Sequence, residues 1–190
     1  MAKKESTFTN MVLTLLIITG LASLALSGVY ELTKDPIAKA QREKKERAIK
    51  EVVPDFDSLM VNMVMPETGK DSLELINAYR DSTYVGTAIS TYTYKGYSGL
   101  VKLMVGILPN GCIENIAVLD QKETPGLGTK MTGDKFKDQF KGKDPSKFKL
   151  KVKKDGGDVD AITAATISSR AFCDAVQRAY DAYKNEGGEK

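Results

Sequence analysis

Apolar and polar residues change their period along this chain, and each change marks an element. From residue 6 to residue 30 no charged side chain occurs. The middle of that run, Met11-Val12-Leu13-Thr14-Leu15-Leu16-Ile17-Ile18 and on through Leu21 to Leu26, is strongly apolar. About 20 such residues suffice for a helix to cross a bilayer, so a spanning helix is predicted. Lys3 and Lys4 ahead of the run and Ala25-Leu26-Ser27 within it also fit a cleaved signal peptide. The run exceeds the roughly 7–15 apolar residues of a signal core, however, and is read as an uncleaved anchor. Both readings export the rest of the chain. Charge alone leaves orientation open, because Lys3 and Lys4 favour a cytoplasmic N-terminus while Lys34, Lys39, Arg42, Lys44 and Lys45 lie on the other side.

After Pro36 the pattern becomes polar and rich in Ala, Lys, Glu, Gln and Arg, with Ile37, Ala40, Ala48, Ile49 and Val52 as sparse apolar positions. These are good helix formers, and a largely solvated helical stalk ending before Pro54 is expected. The period then shortens. Residues 73–79 (LELINAY) and 83–94 (TYVGTAISTYTY) are rich in β-branched and aromatic side chains and predict strands. Residues 100–108 and 112–119 are apolar runs separated by Pro109-Asn110-Gly111, the pattern of a hairpin. Residues 135–140 suggest a short helix, and the alternation in Phe148-Lys149-Leu150-Lys151-Val152 suggests an edge strand. Beyond a break at Asp155-Gly156-Gly157-Asp158, the positions Ile167, Ala171, Ala175, Val176, Ala179 and Tyr180 recur at helical spacing.

These elements predict an α+β chain: a single N-terminal transmembrane helix with a helical stalk, then a mainly antiparallel sheet domain with a C-terminal helix packed on it. The expected divisions are 1–33 for the tail and anchor, 34–54 for the stalk and 55–190 for the domain.

Composition narrows the chemistry. The 190 residues carry a formal net charge of +3, which gives no nucleic-acid footprint. Lysines cluster from residue 130 to residue 154, but they alternate with Asp, Gly and Phe and read as a solvated face. The chain has no histidine, so His-based triads, His metal ligands and the usual neutral-pH proton shuttle are excluded. Cys112 and Cys173 match no metal-ligand spacing and are either free thiols or a disulfide. Tyr84, Tyr92, Tyr94 and Tyr97 invite a ring-stacking platform, yet cross-strand packing on a half-buried sheet explains them as well.

Two stretches carry candidate chemistry. In Glu123-Thr124-Pro125-Gly126-Leu127-Gly128, Pro125-Gly126 fits the centre of a type II turn and Gly128 adds a second permissive point. Leu127 between two glycines sets an apolar side chain beside bare amides, which suits a planar ligand with polar edges. In Asp160-Ala161-Ile162-Thr163-Ala164-Ala165-Thr166-Ile167-Ser168-Ser169, hydroxyls crowd the start of the last helix. On spacing alone they cap it; the same free amides and the helix dipole also make an anion site for a phosphate.

Thr163-Ala164-Ala165-Thr166 resembles the Ser/Thr-Gly-Ala-Thr motif of the FMN-binding domain shared by the G subunit of Rnf complexes and the C subunit of sodium-pumping NADH:quinone reductases. Asp160 stands where that family places an acidic residue, and Glu123 to Gly128 looks like its second signature. With the apolar anchor and the Gly96-Tyr97-Ser98-Gly99 loop, the match covers nearly the whole chain. The resemblance implies FMN as cofactor, joined through its phosphate to the Thr166 hydroxyl by a separate flavin transferase. Thr163, Ala164, Ala165, Ile167 and Asp160 would surround the tether, and Glu123, Thr124, Gly126, Leu127 and Gly128 would border the ring. No catalytic side chain and no metal ligand is implied. Ala164 departs from the family, which usually has Gly there.

The short chain and single anchor look more like the Rnf G subunit. The resemblance then implies an electron carrier in a membrane-bound, ion-translocating ferredoxin:NAD oxidoreductase, with no complete active site on this chain. Its partners would be the membrane, the other membrane subunits of the complex and the flavin transferase, and no nucleic acid. It would be a single-pass protein of the inner (cytoplasmic) membrane with its domain on the periplasmic side. The alternatives are a flavin-free assembly subunit of such a complex, the quinone-reductase C subunit, and an extracytoplasmic flavoprotein reductase acting on a small acceptor.

Overall fold

The periodicities resolve into a long helix, a five-stranded sheet and a C-terminal helix in a computed structural model that describes residues 7–186. Lys3 and Lys4, the basic start expected to set orientation, lie outside the described residues. The chain divides into two units, one up to Glu43 and one from Lys44 onward.

The first unit is helical. Helix α1 (Phe8–Val52) holds Pro36 within it, and the large apolar side chains from Phe8 to Leu32 that the sequence assigned to a bilayer are exposed. By length and composition this segment is able to cross a membrane. Its threonine hydroxyls are satisfied from within: Thr14 donates to the Asn10 carbonyl at 2.7 Å, Thr19 to Leu15 at 2.8 Å and Thr33 to Val29 at 2.8 Å. Such back-bonding hides polar groups that hydrocarbon could not solvate.

The second unit is built on strands β1 (Ser58–Val64), β2 (Leu73–Arg80), β3 (Thr83–Gly96), β4 (Gly99–Ile107) and β5 (Ile113–Gln121). Each pairs antiparallel with the next, in the order β1-β2-β3-β4-β5. Side chains alternate between faces along a strand. Leu75, Ile89, Val105 and Ile116 therefore share one face, where they pack under helix α3 (Thr166–Asn185). Ile76, Ala88, Met104 and Ala117 share the other, covered by Ala48, Ile49, Val52 and Val53. The last turns of α1 thus belong to the domain, and Gly106 is a glycine because a Cβ there would overlap the Val52 backbone. On the α3 side, Phe136, Phe140 and Phe172 form a ring cluster with centroids 5.1–5.8 Å apart.

Two local expectations change, and one strand was not anticipated. The pattern of residues 58–64 gave no strand signal, yet the segment forms β1. The helix expected over residues 135–140 is a single turn, α2 (Asp134–Lys137), followed by turns that carry Phe140 into the core. Residues 148–152 do not form an edge strand. Leu150 and Val152 are buried as the alternation implies, but the backbone bonds locally, with Val159 N–H donating to Lys151 at 3.0 Å and Lys153 N–H to Val159 at 2.8 Å. Only a bridge between Val152 and Val159 results.

Helix α3 is locked to β3 by Asp174, whose carboxylate accepts from Thr93 at 2.7 Å, Lys95 at 2.5 Å and Arg178 at 3.1 Å. Burial pushes its pKa up, but the hydrogen bonds from Lys95 and Thr93 and the charges of Arg178 and Lys95 outweigh burial and hold it below the ordinary value. On acidification the unfolded chain takes up this proton first, so stability is full above about pH 4 and falls as pH drops through the lowered folded value. Urea midpoints of the full chain in detergent should therefore fall less steeply below about pH 4 in Asp174→Asn than in the wild type; parallel curves would contradict this.

Candidate functional site

Glu123 leaves the end of β5 and turns inward, 3 % exposed. One carboxylate oxygen accepts the Ser98 N–H at 2.9 Å, and the other accepts the Ser168 hydroxyl. Its own N–H donates to Gln121 Oε1 at 2.7 Å. One side chain thereby joins the β3–β4 loop, the segment after β5 and the first turn of α3. Space around it is fixed by glycines. A Cβ at Gly128 would lie 2.6 Å from Ser168 Oγ and 2.8 Å from Glu123 Oε2, and one at Gly96 would lie 2.8 Å from Glu123 Oε1. Gly128 is therefore required for close approach; it is Gly126, at φ +76°, that supplies the left-handed conformation. With the Leu127 N–H donating to the Thr124 carbonyl at 3.1 Å, residues 124–127 form the expected type II turn.

Opposite this turn, α3 begins without the cap its sequence promised. The N-cap residue is Ala165, which has no side-chain oxygen, and no side-chain hydrogen bond closes the helix start. The hydroxyls serve elsewhere. Ser168 is held by Glu123, while Ser169 accepts from the Ile162 N–H at 2.9 Å and donates to the Ala165 carbonyl at 3.0 Å. Thr163 is exposed and Thr166 is half-buried. A helix start that is not capped directs its free amides and the positive end of its dipole outward, where an anion is stabilised.

Ala164 sets the turn into the helix with φ +61°. Only glycine enters this left-handed region without strain. The local backbone thus explains why a glycine suits the position and what alanine there costs, about 1–2 kcal/mol.

Between the two stretches lies a cleft of about 520 Å³ lined by Tyr97, Glu123, Thr124, Leu127, Gly128, Ala164, Ala165, Thr166, Ile167 and Ser168. That volume is within the range of small-molecule sites. Eight of the residues singled out from the sequence meet here: Glu123, Thr124, Leu127, Gly128, Ala164, Ala165, Thr166 and Ile167. Three lie outside the lining. Gly126 is at the exposed tip of its turn, Thr163 is exposed, and Asp160 is exposed and paired with Lys153 at 2.8 Å, its N–H donating to Gln139 at 2.7 Å. Tyr97 and Ser168 also line the cleft; the sequence placed Tyr97 only among four tyrosines of a candidate stacking platform and in the Gly96–Gly99 loop, and Ser168 only among the hydroxyls at the helix start. For Tyr97 the flanking Gly96 and Gly99 were the available signal. Tyr84 packs on Tyr79 at 5.9 Å and Tyr92 on Tyr94 at 5.5 Å, whereas Tyr97, 70 % exposed, stands at the cleft.

The lining suits a flat ring carrying a phosphate. Leu127 and Ile167, 39 % and 46 % exposed, offer apolar contact, and the open amides at Thr166 offer anion contact. Replacing Ala164 with glycine should relieve the left-handed strain and lose only about 0.4–1 kcal/mol to a freer unfolded chain. Ala164→Gly is expected to raise stability by about 0.5–1 kcal/mol, read as a higher urea midpoint at unchanged slope; a lower midpoint would refute the strain.

Residues 96–181 match the family model described as the FMN-binding domain. The chain is 33 % identical over 193 residues to the G subunit of the ion-translocating oxidoreductase complex of Aliivibrio fischeri, covering 95 % of this chain and 91 % of that protein. It is 30 % identical over 180 residues to the protein of the same name from Methanosarcina acetivorans, covering 91 % and 93 %. It is 32 % identical over 187 residues to the G subunit of the Na(+)-translocating ferredoxin:NAD(+) oxidoreductase complex of Acetobacterium woodii, covering 91 % and 90 %. A crystal structure of Shewanella oneidensis NqrC is similar with a TM-score of 0.45 and 20 % identity, over 70 % of this chain and 65 % of that one, just under two thirds of its length. Cleft, motifs and relatives agree, and the chain belongs to the family of G subunits of ion-translocating oxidoreductase complexes, with FMN as its cofactor.

Proposed function

We propose that this chain is an electron carrier in an Rnf-type complex that couples electron transfer between ferredoxin and NAD to ion transport, with FMN attached through its phosphate to the Thr166 hydroxyl. The observation that carries the reading is the start of α3. Ala165 leaves it without a side-chain cap, and Thr166 is half-buried on the cleft wall at that point. Here the amides of the first turn would neutralise a phosphodiester without an arginine cluster. Tyr97, Leu127 and Ile167 would flank the ring, and the Glu123 node would hold the two walls at fixed separation. Bound flavin supplies the redox chemistry, and the protein supplies attachment, orientation and electrostatics. Because Ala164 already holds φ +61°, the departure from glycine leaves the turn in place.

Attachment by a separate flavin transferase fits a carrier working outside the cytoplasm, where released FMN is not replaced. We place the protein in the cytoplasmic membrane with α1 as its single span, the domain on the extracytoplasmic side and the other subunits of the complex as partners.

Coexpressed with a flavin transferase and run on a denaturing gel, the wild type should fluoresce under ultraviolet light, as should Thr166→Ser, while Thr166→Ala should be dark. Fluorescence surviving in Thr166→Ala, or missing from the wild type, rejects the tether. For orientation, protease added to cells with a permeabilised outer layer should digest the chain beyond Lys34; full protection would place the domain inside.

A further inference from the structure

The two edges of the sheet are treated differently. The outer edge of β5 is guarded: Ile113 exchanges backbone bonds with Gly142 and Lys143 at 2.7 and 2.9 Å, Lys44 donates to the Leu119 carbonyl, and Glu114 and Asp120 interrupt the strand with charge. The edge at β1 has none of these. Among the described residues no strand pairs on its outer side. Residues 58–65 (SLMVNMVM) contain no charge and no proline, and Leu59, Met60, Val61, Met63 and Met65 are 41–68 % exposed. Register assigns them to both faces: Leu59, Val61 and Met63 lie beside Ala78, Ile76 and Glu74, and Met60 lies beside Asn77 on the other. Soluble proteins blunt such edges with charge, proline or a cover, because an open apolar edge templates further pairing.

We infer that β1 is a docking edge on which an extended segment of another subunit of the complex adds as a further strand, an inference that rests on the complex membership proposed above. Backbone groups decide against a bilayer as the cover, since an open edge buried in lipid leaves N–H and C=O groups unpaired. Charge decides against a second copy of this chain. The edge is flanked by Asp55 and Asp57 on one side and by Glu67 on the other, with Lys70 and Asp71 cancelling beyond. An antiparallel pairing of two β1 strands about Val61 sets Asp55 against Glu67 at both ends, and a parallel one sets Asp55 and Asp57 against themselves. The occupant that fits is an uncharged strand, apolar on both faces and flanked by Lys or Arg. The methionines give the edge a surface that adapts to its partner's side chains, and strand addition of this kind draws affinity from backbone bonds and specificity from alternate side chains.

A photo-crosslinking residue placed at Val61 or Met63 of the full chain, expressed with its complex and irradiated in membranes, tests this. The expected adduct, identified by mass spectrometry, joins β1 to an uncharged apolar segment with basic flanks in another subunit of the complex, and is absent when the label is at exposed Lys154. An adduct of two copies of this chain, an adduct to lipid alone, or no adduct at either position overturns the inference. Val61→Lys with Met63→Lys supplies the second arm. Lysines on an exposed edge leave the fold intact, so the urea midpoint should hold while recovery of the crosslinked subunit falls roughly tenfold or more, as expected for a charge buried without a partner. Undiminished recovery overturns it. A wild-type chain that recovers no other subunit removes the reading on which the inference rests, and the inference with it.

Discussion

The buried carboxylate of Glu123 is the constraint on which the cleft depends. A carboxylate removed from water must be hydrogen-bonded, and Glu123 meets that need with the Ser98 amide and the Ser168 hydroxyl, which belong to distant parts of the chain. The glycines at 96 and 128 follow, because any side chain there would collide with the carboxylate or its serine partner. A polar interaction thereby ties the two walls of the cleft together.

Stability is surrendered at the other wall. A helix start capped by Ser, Thr, Asp or Asn gains about 1 kcal/mol over one capped by alanine, and the residue before Ala165 is held in a left-handed conformation. Hydroxyls are abundant within a few residues, yet none is used to close the helix. Local rules broken together, with the chemistry for repair close at hand, are what the attachment proposed at Thr166 requires.

Where a segment has one wet face and one dry face, its sequence is legible. α3 declares itself this way, buried on a face that repeats with the helical period; β2 to β5, whose sheet is covered on both faces, declare themselves instead by apolar and β-branched runs between turn residues. β1 escaped because Met60 and Val64 share a face with Ser58 and Asn62, which blurs the alternation against Leu59, Val61 and Met63. Residues 148–152 misled for the opposite reason: their alternation is real, but it lines a loop whose backbone bonds are made locally. At the site, the turn at residues 124–127 was legible from Pro125-Gly126, since proline and glycine fix its dihedrals. The helix start was not, because a hydroxyl's presence does not say which amide it serves; Ser168 and Ser169 turned to Glu123 and Ile162. Tyr97 reaches the cleft through a loop held by the Ser98–Glu123 hydrogen bond, a pairing across 25 residues that no local pattern reports.

The order of the sheet bears on when the cleft comes into being. Because each strand pairs with its neighbour in sequence, the sheet is a meander whose pairings need nothing from α3. Ser168 and Thr166 are carried by the last helix of the chain, and they reach Glu123 and Leu127 only when α3 docks on β3. The cleft accordingly does not exist until α3 is in place. Whatever recognises it recognises a finished fold, and a chain stopped short of α3 presents a sheet with nothing to recognise.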